Sequence, residues 1–120
     1  MTSQRFVRIA LKALAELPEP LRRYVTNIDI VVKRRPGPAD YRRARGRCRL
    51  YGLYDGVPHG ERGGGYGMVP PDKITIFREP LQRDFPDEAD LIAEIRKTVL
   101  HEVAHFFGLD EPELKDLGID

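Results

Sequence analysis

Two histidines near the end of the chain stand four residues apart, with a glutamate directly after the first. They are His101 and His105, and the glutamate is Glu102. On an α-helix, residues i and i+4 share one face, so both imidazoles can reach a single point. A zinc ion at that point would lie about 2.0–2.1 Å from each ring nitrogen, and Glu102 would flank it without ligating it. A carboxylate in that place can take a proton from metal-activated water, which is the chemistry that the pattern H-E-x-x-H predicts.

A third ligand is expected just beyond this pair. Gly108 comes three residues after His105, where a glycine can adopt the left-handed conformation that ends a helix. Asp110 and Glu111 follow, so the string reads H-E-x-x-H-x-x-G-x-x-E, and a carboxylate is an accepted zinc ligand. The spacing favours Glu111, which stands where related zinc-binding strings carry a third histidine. Asp110 stays open as the alternative, because Glu111 precedes Pro112 and either acid could instead cap the segment that follows.

The sequence around the motif disfavours its chance occurrence on a solvent-facing helix. Two of the three histidines in the chain fall in the motif, and the flanking residues are apolar on most sides of the predicted helix. Asp87 is expected to cap this helix, which should run for about 20 residues and end at Gly108. Its side chains at helical spacing predict a buried stripe, formed by Leu91, Ile92, Ile95, Val99, Val103 and Phe106 and widened by Leu100 and Phe107.

Three further segments have the periodicity of regular structure. Residues 4–17 place apolar side chains at spacings of three and four, which predicts an amphipathic helix capped by Ser3 and ended by Pro18. Ile28–Lys33 is rich in β-branched residues and predicts a buried strand. Lys73–Phe77 predicts a second strand, and a short helix is expected near the C-terminus. These elements must form the scaffold that positions the histidines.

Segments rich in glycine and proline are expected to be irregular. Residues 34–42 are predicted to be a loop, and residues 78–86 an irregular connection. Residues 51–67 hold much of the glycine and predict a loop near the site. His59 lies in that loop as a conceivable ligand or proton donor, although a solvated surface histidine is favoured. Two tyrosines of the segment are candidates for polarising a substrate carbonyl or for packing at its rim, Tyr54 and Tyr66.

An arginine-rich segment covers residues 42–49, with arginines at positions 42, 43, 45, 47 and 49. Between Arg43 and Tyr51 the arginines alternate with smaller or apolar residues, which predicts a strand with one solvated face. Such a basic surface can bind nucleic acid or an acidic substrate. Because few aromatic residues are interleaved with the arginines, we favour a charged sheet edge that discourages unwanted pairing.

Composition limits the class of protein. The chain has 120 residues, of which 41% are hydrophobic and 32% charged, so a single globular domain over residues 1–120 is expected. The net charge of +1 assigns no partner. A single cysteine excludes an internal disulfide, which favours a reducing compartment. No signal peptide or membrane-spanning segment is recognisable, so a cytoplasmic location without a membrane partner is expected.

With these motifs in place, the chain resembles the small bacterial minimal zincin metallopeptidases, sometimes described as having a matrix-metalloprotease-like domain. The resemblance spans roughly residues 5–119 and is carried by HEVAHFFGLDE, GLYDGVP and PDKITIFREPL. It implies an α+β fold in which a small twisted mixed sheet packs against two long helices, one carrying HExxH. It also implies His101, His105 and Glu111 as zinc ligands and Glu102 as the general base. The arginine-rich segment departs from the family pattern, and the lack of a separate lower lobe predicts a weak grip on substrate.

The expected function is zinc-dependent hydrolysis of peptide bonds in a peptide or protein substrate. An extended substrate is expected to add to a sheet edge formed by the strand Ile74–Phe77. One alternative is a zinc-stabilised binding module with the same ligands and no hydrolytic activity. Another is an RNA-associated protein that uses residues 42–49, although nucleic acid is not a favoured partner.

Overall fold

Within the residues that the structure describes, the fold is a small α+β arrangement built on a three-stranded mixed sheet. The computed structural model describes residues 1–22, 25, 27–44, 50–56, 71–109 and 111–116, with the backbone alone at residues 20, 111 and 114. In chain order the elements are α1 (Ser3–Ala15), α2 (Glu19–Arg22), β1 (Ile28–Lys33), α3 (Pro38–Arg43), β2 (Gly52–Asp55), β3 (Asp72–Phe77), α4 (Arg78–Asp84), α5 (Glu88–Phe106) and α6 (Glu111–Asp116). The strand order is β1-β3-β2; β1 runs parallel to β3, and β2 runs antiparallel to it. The predicted α+β class and mixed sheet are confirmed.

The main core lies between the sheet and the two longest helices. α1 contacts α5 and β1, and α5 also contacts β2 and β3. Fully buried side chains of the core include Phe6 of α1, Ile95 and Val99 of α5, and Ile74 and Ile76 of β3. Since alternate residues of a strand face opposite sides of a sheet, Phe77 lies on the other face. There it forms a smaller apolar cluster with Ala44, Leu50 and Leu53.

The helix α5 follows its sequence signals closely. Asp87 is its N-cap, and Oδ1 of Asp87 accepts a hydrogen bond from the backbone N–H of Asp90 at 3.2 Å. The helix ends at Phe106, and Gly108 follows with φ of +80°, a conformation that only glycine adopts without strain. Both predicted ends of the helix are therefore confirmed. Among its helices, the described part of the chain holds none long and apolar enough to cross a bilayer.

The helix α1 is also confirmed, with a different cap. Oγ1 of Thr2 accepts from the backbone N–H of Arg5 at 3.1 Å, and Ser3 is the first helical residue. The prediction of Ser3 as the cap is thus wrong by one residue. A threonine hydroxyl caps a helix by the same hydrogen bond as a serine hydroxyl.

Two segments predicted to be irregular are short helices. Pro38 is the first residue of α3, and Pro80 lies in the first turn of α4. Proline is tolerated there because the first N–H groups of a helix have no partner inside it. In α3, Oδ2 of Asp40 accepts from the backbone N–H of Gly37 at 2.8 Å, and this bond lowers the pKa of the Asp40 carboxyl.

The strands differ from the predictions in two places. β1 has the predicted bounds, but it is half-buried rather than buried, because it lies at an edge of the sheet formed by the described strands. β2 lies inside the glycine-rich segment for which the sequence predicts a loop. The predicted strand from Arg43 to Tyr51 is wrong at both described ends, since Arg43 ends α3 and Tyr51 precedes β2. Residues 45–49 lie outside the described residues.

Candidate functional site

The two motif histidines lie in the second half of α5 and face one cavity. Their ring centroids are 5.9 Å apart with an interplanar angle of 77°. This first cavity, of about 160 Å³, is also lined by Glu102 and by Tyr51 and Gly52 at the start of β2. His101 is half-buried and His105 is exposed. The spacing along the helix therefore brings both imidazoles to the same side of the molecule, beside the sheet.

The separation of the two rings is compatible with one shared metal ion. A zinc–nitrogen bond of 2.0–2.1 Å puts the ion about 3.2 Å from each ring centre, so two rings on one ion lie about 5 Å apart in a tetrahedral arrangement and at most about 6.4 Å apart. The observed 5.9 Å is within that limit, and a small side-chain rotation brings the rings to the tetrahedral value. The residues present therefore fit two of the ligands that zinc requires.

The third ligand predicted from the sequence is not settled by the described side chains. The side chain of Glu111 and the whole of Asp110 lie outside the described residues. Among the side chains that are described, no group of three or more His, Cys, Asp or Glu is close enough to hold an ion. The backbone places Glu111 at the start of α6, directly after the turn at Gly108.

Glu102 lies between α5 and β2, at the side of the first cavity. Its side chain is only 8% exposed, and its Oε1 accepts a hydrogen bond from the backbone N–H of Tyr54 at 3.2 Å. A buried carboxylate requires such hydrogen bonds to offset its lost hydration. The bond fixes the carboxylate between α5 and β2. Glu102 also lines a second cavity, next to Tyr54. Its side chain therefore borders both cavities.

The close approach of β2 to α5 depends on Gly52. A Cβ atom at this position would lie 2.6 Å from Cγ2 of Thr98 and 3.2 Å from the carbonyl oxygen of Thr75. Any side chain there would push the strand away from the helix, and with it the N–H group that holds Glu102. We did not predict this role from the sequence. The available signal was a single glycine inside a run of strand-forming residues, which often marks a close approach of two elements.

The strand β2 turns some backbone groups away from the sheet. The N–H of Phe77 donates to the carbonyl of Tyr51 at 2.9 Å, and Leu53 is opposite Thr75. Because hydrogen-bonded and non-hydrogen-bonded pairs alternate in an antiparallel ladder, the backbone groups of Gly52 and Tyr54 point outward. The bond from Tyr54 to Glu102 agrees with this direction.

The predicted substrate edge is wrong. β3 contains Ile74–Phe77 and lies in the middle of the sheet, paired with β1 on one side and β2 on the other. Its ladder hydrogen bonds are therefore made within the sheet. β2 is the edge strand that borders the cavities of α5, and within the described residues it pairs only with β3.

The second cavity has about 520 Å³ and continues from Glu102 and His105 along the outer edge of β2. The end of α3 closes it on one side, and Leu53, Tyr54 and Phe106 form its apolar wall. The rings of Tyr54 and Phe106 are stacked, with centroids 4.2 Å apart and an interplanar angle of 23°. The sequence assigns Phe106 to the buried stripe of α5, but 37% of it is exposed, because it faces this cavity instead of the core.

Arg43 lies at the polar end of the second cavity and forms an ion pair with Asp55. The hydrogen bond from Arg43 is the largest cause that lowers the pKa of the Asp55 carboxyl, and the same bond raises the pKa of Arg43. Both groups are therefore ionised near neutral pH, and their charges offset one another.

The other residues considered from the sequence are placed as follows. The ring of Tyr54 lines the second cavity, and its hydroxyl donates to Oδ2 of Asp72 at the start of β3. His59, Tyr66 and the arginines at 45, 47 and 49 lie outside the described residues.

Comparisons with known proteins support the fold and indicate a class. A family model described as zincin-like metallopeptidase matches residues 25–119. A solved structure of a conserved hypothetical protein from Thermus thermophilus superposes with a TM-score of 0.55 at 21% sequence identity, covering 88% of this chain and 94% of that chain. At this identity the likeness shows a shared fold alone. No curated protein matches the sequence significantly.

Proposed function

The chain belongs to the zincin-like metallopeptidase family, and on that premise we propose that it hydrolyses peptide bonds with a zinc cofactor. We assign His101, His105 and Glu111 as the zinc ligands and Glu102 as the general base. One observation carries most of the proposal: a buried glutamate is held in place by a backbone N–H beside two histidines that face the same cavity.

The ligand assignment rests on geometry for the histidines and on spacing for the acid. The imidazole rings are close enough to share one ion. Glu111 is favoured because the chain turns at Gly108 with φ of +80° and then begins α6 at Glu111. Two histidines and one carboxylate form the ligand set that keeps a position open for water in catalytic zinc sites. When bound, zinc supplies a Lewis acid that polarises a carbonyl and makes water acidic enough to lose a proton near neutral pH.

The residues of the chain then handle the proton. The carboxylate of Glu102 takes a proton from the attacking water and passes it to the leaving nitrogen of the peptide. The N–H of Tyr54 holds Oε1 of Glu102 during both transfers, so the base is positioned before substrate arrives. Its position between the two cavities allows a scissile bond to lie across it, with one cavity on each side.

The outer edge of β2 is the surface on which we expect the peptide backbone to lie. An extended peptide can add to a sheet edge through main-chain hydrogen bonds. The outward-facing backbone groups of Gly52, together with the carbonyl of Tyr54, are in the right direction for such bonds. A peptide bound at this edge would lie alongside Glu102 and the imidazoles, whereas a peptide cannot add to the central strand β3 because both edges of that strand are already paired.

The test of this proposal compares two glutamate-to-glutamine variants. We expect Glu102→Gln to keep its zinc, measured by elemental analysis, and to lose turnover of unstructured peptides by roughly 10²–10⁴-fold, because the amide cannot take the proton. The amide oxygen can still accept from Tyr54, so the fold should persist. The matched control is Glu19→Gln, an exposed residue of α2 whose pair with Arg22 is also exposed and should matter little.

Two results would contradict the proposal. One is full peptidase activity in Glu102→Gln, which would remove the general base from the mechanism. The other is the absence of zinc-dependent cleavage from the unmodified protein and from both variants across a broad peptide mixture. That second result would instead favour a zinc-stabilised binding module.

A further inference from the structure

Phe106 is an unusual residue of the site because it is a large aromatic side chain left partly in solvent. It lies on α5, where nearby Val103 and Ala104 are fully buried, yet 37% of Phe106 is exposed. It follows His105 directly in the sequence and lines the same cavity as His105 and Glu102. Because the ring of Phe106 does not belong to the core, the reason for its position must be sought in the residues that it contacts at the cavity.

The position of the Phe106 ring is fixed by its neighbours. One face stacks on Tyr54 at 4.2 Å between centroids. The ring also packs against Gly56, where a Cβ atom would lie 2.5 Å from Cζ of Phe106 and 2.9 Å from Cε1 of Tyr54. A glycine at position 56 is thus needed for this ring arrangement. The aromatic pair therefore forms a preformed wall of the second cavity.

The charge of the cavity decides between an apolar and an acidic occupant. Arg43 could by itself attract a carboxylate, but it forms an ion pair with Asp55 at the polar end of the cavity. Asp55 stays ionised near neutral pH because the bond from Arg43 lowers its pKa. The pair therefore has no net charge. An acidic side chain in the cavity would also meet the carboxylate of Glu102, which lines the cavity together with Arg43.

We infer that the second cavity selects substrates with a bulky apolar side chain, aliphatic or aromatic, next to the scissile bond. The side chain packs on the face formed by Phe106, Tyr54 and Leu53. This rests on the proposed function for its position relative to the scissile bond. The cavity has about 520 Å³, against about 160 Å³ for the first one, so the larger side chain goes to the larger space.

The inference is tested by binding, so that it does not depend on turnover. The probe is a set of fluorescent peptides with acetylated N-termini and amidated C-termini, identical except for Leu, Phe, Asp or Gly at one scanned position. Binding to the zinc-loaded Glu102→Gln protein is measured by anisotropy. We expect the Leu and Phe peptides to bind about tenfold or more tightly than the Gly and Asp peptides, which is the size of effect that an apolar pocket gives.

Three further variants connect that preference to the wall. Phe106→Ala in the same background should remove the preference, and Phe106→Leu should keep most of it. Gly56→Ala should weaken it by displacing the Phe106 ring while leaving the ring in the protein. As a control, Leu11→Ala removes another exposed apolar side chain, 49% exposed on α1, and should leave the preference unchanged.

The outcomes separate this inference from the proposed function. Binding of none of the peptides, tightest binding of the Asp peptide, or a preference that survives Phe106→Ala overturns the apolar subsite, whether or not the unmodified protein cleaves peptides. A preference for Leu and Phe that Phe106→Ala abolishes supports the subsite even if no peptide is cleaved. In that last case the hydrolytic function fails and the apolar pocket remains.

Discussion

At the scale of single residues, Glu102, the proposed general base, takes its orientation from the backbone. Oε1 of Glu102 accepts from the N–H of Tyr54, and an N–H group is present whatever side chain stands at position 54, proline excepted. The orientation of the carboxylate therefore depends on where β2 lies and not on the identity of residue 54. The ring of Tyr54 is left to form the wall of the second cavity.

The identity of the acidic zinc ligand gives a prediction at this scale. Glu111→Ala should weaken zinc binding by at least about a hundredfold, because loss of a ligand should cost more than the 10–100-fold typical of outer-shell changes. Asp110→Ala should bind zinc as the unmodified protein does. The dissociation constants are measured by competition with a chromophoric chelator.

His59→Ala is the control for the ligand experiment, because it removes the one histidine outside the motif and should keep zinc. The reverse pattern, with zinc lost in Asp110→Ala and retained in Glu111→Ala, would transfer the ligand role to Asp110.

At the scale of elements, the contact between β2 and α5 determines whether the site is assembled. Gly52→Ala should lower the free energy of unfolding by about 1–3 kcal/mol, since the added methyl group overlaps Thr98 and the Thr75 carbonyl. It should also lower kcat while zinc content is unchanged, because the N–H of Tyr54 moves away from Glu102. Urea unfolding and peptide turnover measure the two effects.

Gly37→Ala is the matched control for this change. The nearest atom to a Cβ at position 37 is Oδ2 of Asp40, at an ordinary 3.8 Å, so the methyl group meets no obstacle. Gly37 is the N-cap of α3, where alanine is a poorer cap, so we expect a loss of at most about 1 kcal/mol and no change in kcat. Equal effects of the two alanines on kcat would show that the fit of β2 against α5 does not position the base.

The elements that the sequence predicted best are those whose side chains repeat at a regular spacing. The helix α5, its cap Asp87 and its end at Gly108 could be read from periodicity and end signals. The helix α1 and the strands β1 and β3 follow from the same kind of signal. These elements place His101, Glu102 and His105 on one helix beside a sheet, so the histidine face of the candidate site could be predicted.

The remaining elements could not be predicted because the residues at their starts are typical of loops. Prolines at the start of α3 and α4 and the glycine that opens β2 are typical of loops. They occur here because a first helical turn tolerates proline and because β2 must approach Thr98. Phe106 is exposed because it faces the cavity beside β2. Its exposure could not be predicted from the spacing along α5 because it depends on the position of β2.

An ion pair between elements gives a prediction about acid stability. Arg43, at the end of α3, binds Asp55, at the end of β2, and the pKa of Asp55 is lowered by that bond. A carboxyl whose pKa is lower in the folded state stabilises the fold above its unfolded value, near 3.8, and loses this contribution as the pH falls through the folded value. Both groups are partly exposed, so we expect at most about 1 kcal/mol.

A double-mutant cycle isolates this contribution. The coupling energy between Arg43→Gln and Asp55→Asn, from urea unfolding, should be present at pH 7 and should shrink toward zero well below pH 3.8. Arg43 stays charged over this range with or without the pair, because a guanidinium is always protonated near and below neutral pH, and the bond to Asp55 raises its pKa further. A coupling energy that is equal at both pH values would mean that the two side chains contribute through packing instead of charge.

At the scale of the whole molecule, the proposed ligands connect the end of α5 to the start of α6. His101 and His105 belong to α5, Glu111 begins α6, and the turn at Gly108 lies between them. An ion that binds only the folded arrangement stabilises the whole fold by mass action. The stability of the protein should therefore depend on zinc even though the main core between α1, α5 and the sheet contains no metal ligand among the described residues.

Zinc binding should raise the free energy of unfolding and the Tm by a measurable amount. At a free zinc concentration of about 100 times the dissociation constant, the gain in unfolding free energy is about 2.7 kcal/mol, which raises the Tm of a domain of this size by roughly 10 °C. Calorimetry with zinc and with a chelator measures the shift. Glu102→Gln should show the same shift as the unmodified protein, because the base is not a ligand, whereas His105→Ala should show little or none. If His105→Ala kept the full shift, zinc would bind elsewhere on the chain, and the imidazole pair on α5 would no longer explain the stability or the proposed hydrolysis.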